Sequence, residues 1–204
     1  MDKAKLVYLG AGVIFATSGI TCGEYCDQPG FSNKVEAGRT KNSIATIVAG
    51  IVGQKMYGDS RINLEIQKSF YPDARVTGRT NQNSVDTHVD LAFTSARFTA
   101  QKNNEGNLDG EVDKSEFDWK VKQISEDTYE IARFGPKFDA TLVITVKDGK
   151  ISGKYLRPGP HFNWDISGTY DQAGNVNFEI DGPFNLGITL DGKITKLNYT
   201  QKIF

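Results

Sequence analysis

The string Glu105 to Glu116, EGNLDGEVDKSE, spaces its oxygen-bearing side chains as a twelve-residue calcium loop does. Glu105, Asn107, Asp109, Asp113 and Glu116 would supply the ligands, Gly110 the sharp turn at the sixth position and Val112 the apolar eighth. A plain acidic loop is the simpler reading and the one expected. Glu105 stands where an Asp usually begins such a loop, and no second loop pairs with it. Asp-Gly-x-Val/Ile also recurs at Asp148 and Asp191, where it reads as hairpin-turn chemistry. A second set of metal-ligand types is Asp86, His88 and Asp90, which a strand would project from one face about 7 Å apart. They lie on the polar side of the alternation, where charges are expected anyway, so a solvated polar face is the simpler reading.

Catalytic chemistry has little to draw on. With 2 histidines and no G-x-S-x-G elbow, a serine-type triad has no support. The 25 acidic residues supply carboxylates for general acid–base work, but nothing in their spacing selects a pair. No catalytic residue is therefore assigned, and binding is expected rather than turnover. Arg157-Pro158-Gly159-Pro160-His161 reads as a strand connection that could stiffen a rim.

The aromatic residues carry the stronger pattern. Trp119, Tyr129, Tyr155, Phe162, Trp164, Tyr170, Phe178 and Phe184 recur at positions that read as inward on strands. If the interior is hollow they would line a cavity for an apolar or flat molecule, and if it is filled they are core.

Strands must position these residues, because the hydrophobic period is two from Ile62 onward. Ile62, Leu64 and Ile66 alternate with polar residues, as do Val85 and Val89, Trp164 and Ile166, Val176 to Ile180, and Ile188 and Leu190. That is the pattern of antiparallel strands with one wet face. Gly135-Pro136, Gly159-Pro160 and Gly182-Pro183 punctuate this region at spacings of about 23 residues, the length of two strands and two turns. About ten strands in sequence leave exposed edges unless the sheet closes, so an all-β closed barrel is expected, with a sandwich or extended sheet as the alternative. Ahead of it, Ile44, Ile47, Val48, Ile51 and Val52 have helical spacing, predicting one helix near 43–57 despite Gly50 and Gly53. Residues 43–204 are read as a single β domain.

The first residues point to export. Lys3 and Lys5 precede the apolar run Leu6 to Ala16, and Ala16-Thr17-Ser18 offers a small-residue exit, so residues 1–18 read as a signal peptide. The run is too short for a membrane span of about 20 residues, so none is expected in the mature chain. Gly10 and Gly12 also suit the turn of a dinucleotide-binding strand–helix unit, but Phe15 stands where a third small residue is needed. Cys22 and Cys26 lie in an expected linker, 19–42, and in an oxidising compartment could close a small disulfide loop. A lipidated Cys22 is a less fitting alternative.

A charge of −1, from 24 basic and 25 acidic side chains, leaves no basic excess for phosphate neutralisation, and nucleic acid is not an expected partner. A membrane-spanning β-barrel would put apolar residues outward, whereas counting back by twos from Phe204 gives Lys202, Thr200, Asn198 and Lys196.

Ile151-Ser152-Gly153-Lys154-Tyr155 and Ile166-Ser167-Gly168-Thr169-Tyr170 resemble avidin-type barrel strands, and the expected architecture is of the lipocalin and avidin kind. No site residue follows from that resemblance. The function expected is an exported barrel that holds a small apolar or aromatic molecule, with no cofactor. The alternative is a non-catalytic structural or surface protein built from hairpins that meets a protein partner.

Overall fold

The structure, a computed structural model, describes residues 6–9, 12–15, 29–67, 74–91, 95–113, 117–134, 139–158, 163–181 and 187–197, with side chains described from residue 38. Two short strands, β1 (Leu6–Leu9) and β2 (Gly12–Phe15), pair antiparallel with Leu6 opposite Phe15. A strand, not a helix, runs from Gly12 here, so the described residues form no strand–helix unit of the dinucleotide-binding kind. A long helix, α1 (Pro29–Tyr57), comes next. Its extent exceeds the expected 43–57 and takes about its first four turns, residues 29–42, from the stretch read as linker.

Twelve strands then run in strict succession: β3 (Ser60–Gln67), β4 (Arg75–Thr80), β5 (Ser84–Val89), β6 (Ala96–Lys102), β7 (Leu108–Asp113), β8 (Asp118–Gln123), β9 (Thr128–Phe134), β10 (Ala140–Lys147), β11 (Lys150–Leu156), β12 (Trp164–Tyr170), β13 (Asn175–Asp181) and β14 (Ile188–Lys196). Each pairs antiparallel with the next, and β14 returns to β3 with Ile194 opposite Ile62, closing the barrel. Closure leaves no barrel edge unpaired. The count exceeds by two the ten or so expected.

The apolar face points inward, with Phe134, Val143 and Leu156 as exposed exceptions on β9 to β11. On β3, Ile62, Leu64 and Ile66 are buried while Arg61, Asn63, Glu65 and Gln67 face solvent. Charges at the middle of the outer wall are the reverse of a lipid-facing band. No described helix is long and apolar enough to cross a membrane.

The interior is not empty, because α1 runs through it. Ile44, Ala45, Ile47, Val48, Ala49, Ile51 and Val52 are all fully buried. Barrel diameter grows with strand number, so twelve strands give about one and a half times the width of eight, room for a helix about 10–12 Å across. Helix α1 lies off-centre, against β3 to β6. Gly50 is so close to that wall that a Cβ would sit 2.5 Å from Val85 Cγ1, and one on Gly53 would sit 2.8 Å from Ile62 Cδ1. Thr87 donates its hydroxyl to the Thr46 carbonyl at 2.9 Å, tying wall to helix at the same stripe.

The two ends of the barrel differ. At one, the turn end, short connections meet the C-terminus of α1. Lys55 donates to Asp127 Oδ1 (2.6 Å) and to the Glu126 carbonyl (2.9 Å), and Tyr57 donates to the Gln172 carbonyl (2.9 Å). Asp148-Gly149 makes its turn here, with φ of 50° and 77°. Asp191-Gly192, expected as a turn, instead lies inside β14, with Gly192 opposite Leu64. A Cβ there would meet the Asn63 carbonyl oxygen at 2.5 Å, so the glycine serves a close strand approach. The opposite end, the loop end, carries the longer connections, 68–74, 90–95, 114–117, 135–139, 157–163 and 182–187, and receives the N-terminal half of α1. All three Gly-Pro pairs fall in these connections, outside the described residues.

Candidate functional site

Following hydrogen-bonded neighbours across the loop-end wall gives one inward row: Val121, Ile131, Leu142, Tyr155 and Trp164 on β8, β9, β10, β11 and β12. Beside it runs a second, Trp119 opposite Arg133 and Arg133 opposite Ala140. Register thus places two tryptophans, a tyrosine and an arginine on adjacent strands at the same end. The Trp119 and Tyr155 rings lie 6.4 Å apart and the Tyr155 and Trp164 rings 5.3 Å apart, both tilted, within the usual range for interacting aromatic pairs. This half of the barrel lies away from the glycine-lined contact with α1, and large side chains fill it.

Cations occupy the same place. Arg133 is 1% exposed, donates to the Tyr155 hydroxyl at 2.9 Å and lays its guanidinium carbon 3.5 Å from the Phe117 ring centroid. Lys41, one of the polar residues on α1, reaches over Trp164 with its ammonium 5.8 Å from the ring centroid. Burial pushes the Lys41 ammonium down from 10.5 to about 8, opposed by the attraction of Asp181. Trp164 Nε1 is buried and has no hydrogen-bond partner among the described residues. Most buried donors find a partner, so an unused indole N–H in this setting is notable.

Of the eight aromatics read as inward, Trp119, Tyr129, Tyr155, Trp164 and Phe178 are buried inside the barrel. Tyr170 is half-buried against the core, and Phe162 and Phe184 lie outside the described residues. Only Trp119, Tyr155 and Trp164 form the cluster. Tyr129 sits nearer the turn end, where burial raises its hydroxyl to about 12. Arg133 and Lys41 were missed. Arg133 continues the alternation Tyr129, Ile131, Arg133, and Lys41 precedes Ile44 and Val48 by three and seven positions on the same helical stripe. Extending either period would have found them.

Over its described residues, 105–113, the acidic string does not fold as a wrapped loop. Asp109 and Asp113 lie on strand β7 and project outward, Asn103 donates to Asp109 (3.0 Å), Asn107 donates to Glu105 (3.2 Å), and Glu116 is outside the described residues. Asp109 and Asp113, four residues apart on one strand, are separated by about 13 Å, whereas calcium coordination needs the oxygens converging. On β5, Asp86 is engaged by Arg97 through bonds of 2.9 and 2.6 Å, which hold its carboxyl below the usual range. His88 Nε2 lies 3.5 Å from Asp90 and 3.1 Å from the Thr77 hydroxyl. No group of three metal-ligand side chains converges among the described residues. Cys22, Cys26 and His161 lie outside them. A groove of about 800 Å³ on the outer wall of β5 to β8 is lined by Asp86, Glu111 and Lys120, but its charges pair locally, Lys120 with Glu111 at 2.9 Å and Asp86 with Arg97.

The molecule is thus a twelve-stranded up-and-down β-barrel enclosing a helix, with an aromatic and cationic cluster at its loop end. No known family, curated protein or solved structure matches the chain.

Proposed function

We propose that the protein is an exported β-barrel that binds a small apolar or aromatic molecule at the loop end of its interior. The observation that carries this reading is the Trp119–Tyr155–Trp164 cluster. Lys55 and Tyr57 tie the C-terminus of α1 to the turn end, so the entry proposed is at the loop end, between the N-terminal half of α1 and strands β8 to β12. That half of the interior is filled by side chains with few rotamers and large faces. Such a region can admit a flat molecule by rotamer changes, leaving the strands in place. Export rests on the basic, apolar and small-residue succession over residues 1–18.

The chain's 2 tryptophans are both in this cluster, so its intrinsic emission reports the site alone. Titration with N-phenyl-1-naphthylamine, a neutral aromatic probe that accepts tryptophan energy, should give saturable transfer. A linear response with no saturation would favour the second reading, a structural or partner-binding protein. The complete burial of α1 residues 44–52, which makes the barrel a filled core, speaks for that alternative.

A further inference from the structure

We propose that the molecule bound at the loop end carries a single anionic group, a carboxylate or sulfonate, seated between the Lys41 ammonium and the Trp164 indole N–H. This rests on the interior-binding reading above. Two unmet demands meet at one place. Trp164 Nε1–H is a buried donor with no acceptor among the described residues. Lys41 is 6% exposed, and among the described residues its ammonium is met by the Trp164 ring and by no hydrogen-bond acceptor. A buried ammonium is stable only when paired, and an aromatic face satisfies it in part. An anion touching both would accept from the indole and neutralise the lysine, forming the stronger charge-assisted bonds.

The neighbourhood selects the charge. Arg133, whose guanidinium lies between Tyr155 and Phe117, adds positive potential from β9, so a cationic guest is repelled. Asp181, at the exposed end of β13, is the acidic group that acts on Lys41. It keeps the local excess of positive charge small, which favours a monoanion over a phosphate dianion. Lys41 remains mostly protonated at neutral pH, as pairing requires. The aromatic rings then hold the apolar body. The ligand class is an amphipathic monoanion with a flat or apolar body.

The test compares two probes that share one aromatic body, neutral N-phenyl-1-naphthylamine and its sulfonate, 1-anilinonaphthalene-8-sulfonate. The full chain should bind the sulfonate about tenfold or more tightly than the neutral probe, as expected for a charge-assisted contact. Trp164→Phe keeps the ring and removes the donor, and Lys41→Met keeps the stem and removes the charge. Each should cut that preference, taken as the ratio of the two affinities in the same variant, to about threefold or less. Unchanged circular dichroism shows that the variants fold. Equal affinities in the parent protein, or a preference that survives both substitutions, would overturn the anionic site while leaving interior binding intact. Failure of both probes to bind would overturn the interior reading and this inference with it.

Discussion

Lys41 offers the sharpest test of the interior electrostatics, because its cost can be worked out. Its side chain is 6% exposed and its ammonium is held near 8 against an ordinary 10.5. Below pH 8 both folded and unfolded chains carry the proton, and the folded chain bears the full penalty of keeping a charge out of water. A shift of about 2.5 units at 1.36 kcal/mol each makes that penalty about 3 kcal/mol. Between pH 8 and 10.5 the unfolded chain binds more protons, so this contribution raises stability as pH rises. Lys41→Met removes the group and its titration. Guanidinium unfolding of both proteins at pH 7 and pH 10.5 should show the variant gaining at pH 7, less whatever the lost contact with Trp164 contributed. The difference between the two proteins should then fall by about 3 kcal/mol on going to pH 10.5. A difference that stays constant across this range would refute the placement of Lys41 inside the barrel.

Tyr129 should act with the opposite sign. Its hydroxyl is raised to about 12 from 10.0, so the folded chain keeps a proton that the unfolded chain releases, and stability falls by about 3 kcal/mol between pH 10 and 12. Tyr129→Phe should flatten that decline, read by unfolding at pH 9 to 12. Gly50→Ala would stabilise an exposed helix by about 1 kcal/mol. Here the added methyl would lie 2.5 Å from Val85 Cγ1, so a loss of about 1–3 kcal/mol in thermal or denaturant unfolding is expected, and a gain would mean that α1 is not pressed against β5.

The barrel was legible in the chain because a buried face on an antiparallel strand imposes a period of two. Ile62 to Ile66 and Val176 to Ile180 show it without interruption. Helix α1 was half legible. Its apolar stripe from Ile44 to Val52 stood out, while Gly50 and Gly53 argued against a helix on propensity. The structure supplies their reason, since neither position next to the β3–β6 wall has room for a Cβ. Residues Thr40 to Asn42 looked like linker because they are polar, yet they are buried, and polarity alone does not tell a solvated segment from one enclosed by a barrel. Asp-Gly misled for a similar reason. At Asp148-Gly149 both residues adopt positive φ and make a turn, while Asp109-Gly110 and Asp191-Gly192 lie within strands, where the glycine admits a neighbouring chain. The dipeptide allows a turn, and strand length decides whether one forms. The aromatic positions could be read as inward, but which of them meet depends on register between distant strands, which sequence spacing does not carry.

The proposed site for a small molecule lies among Trp119, Tyr155 and Trp164. The most direct measurement is a two-dimensional 15N–1H spectrum of the full chain, in which the 2 tryptophans give two indole signals, assigned by Trp164→Phe. Both signals should move along saturable curves as 1-anilinonaphthalene-8-sulfonate is added, with the Trp164 proton shifting downfield as it gains an acceptor. Indole signals that stay fixed while the probe binds elsewhere on the protein would contradict that site.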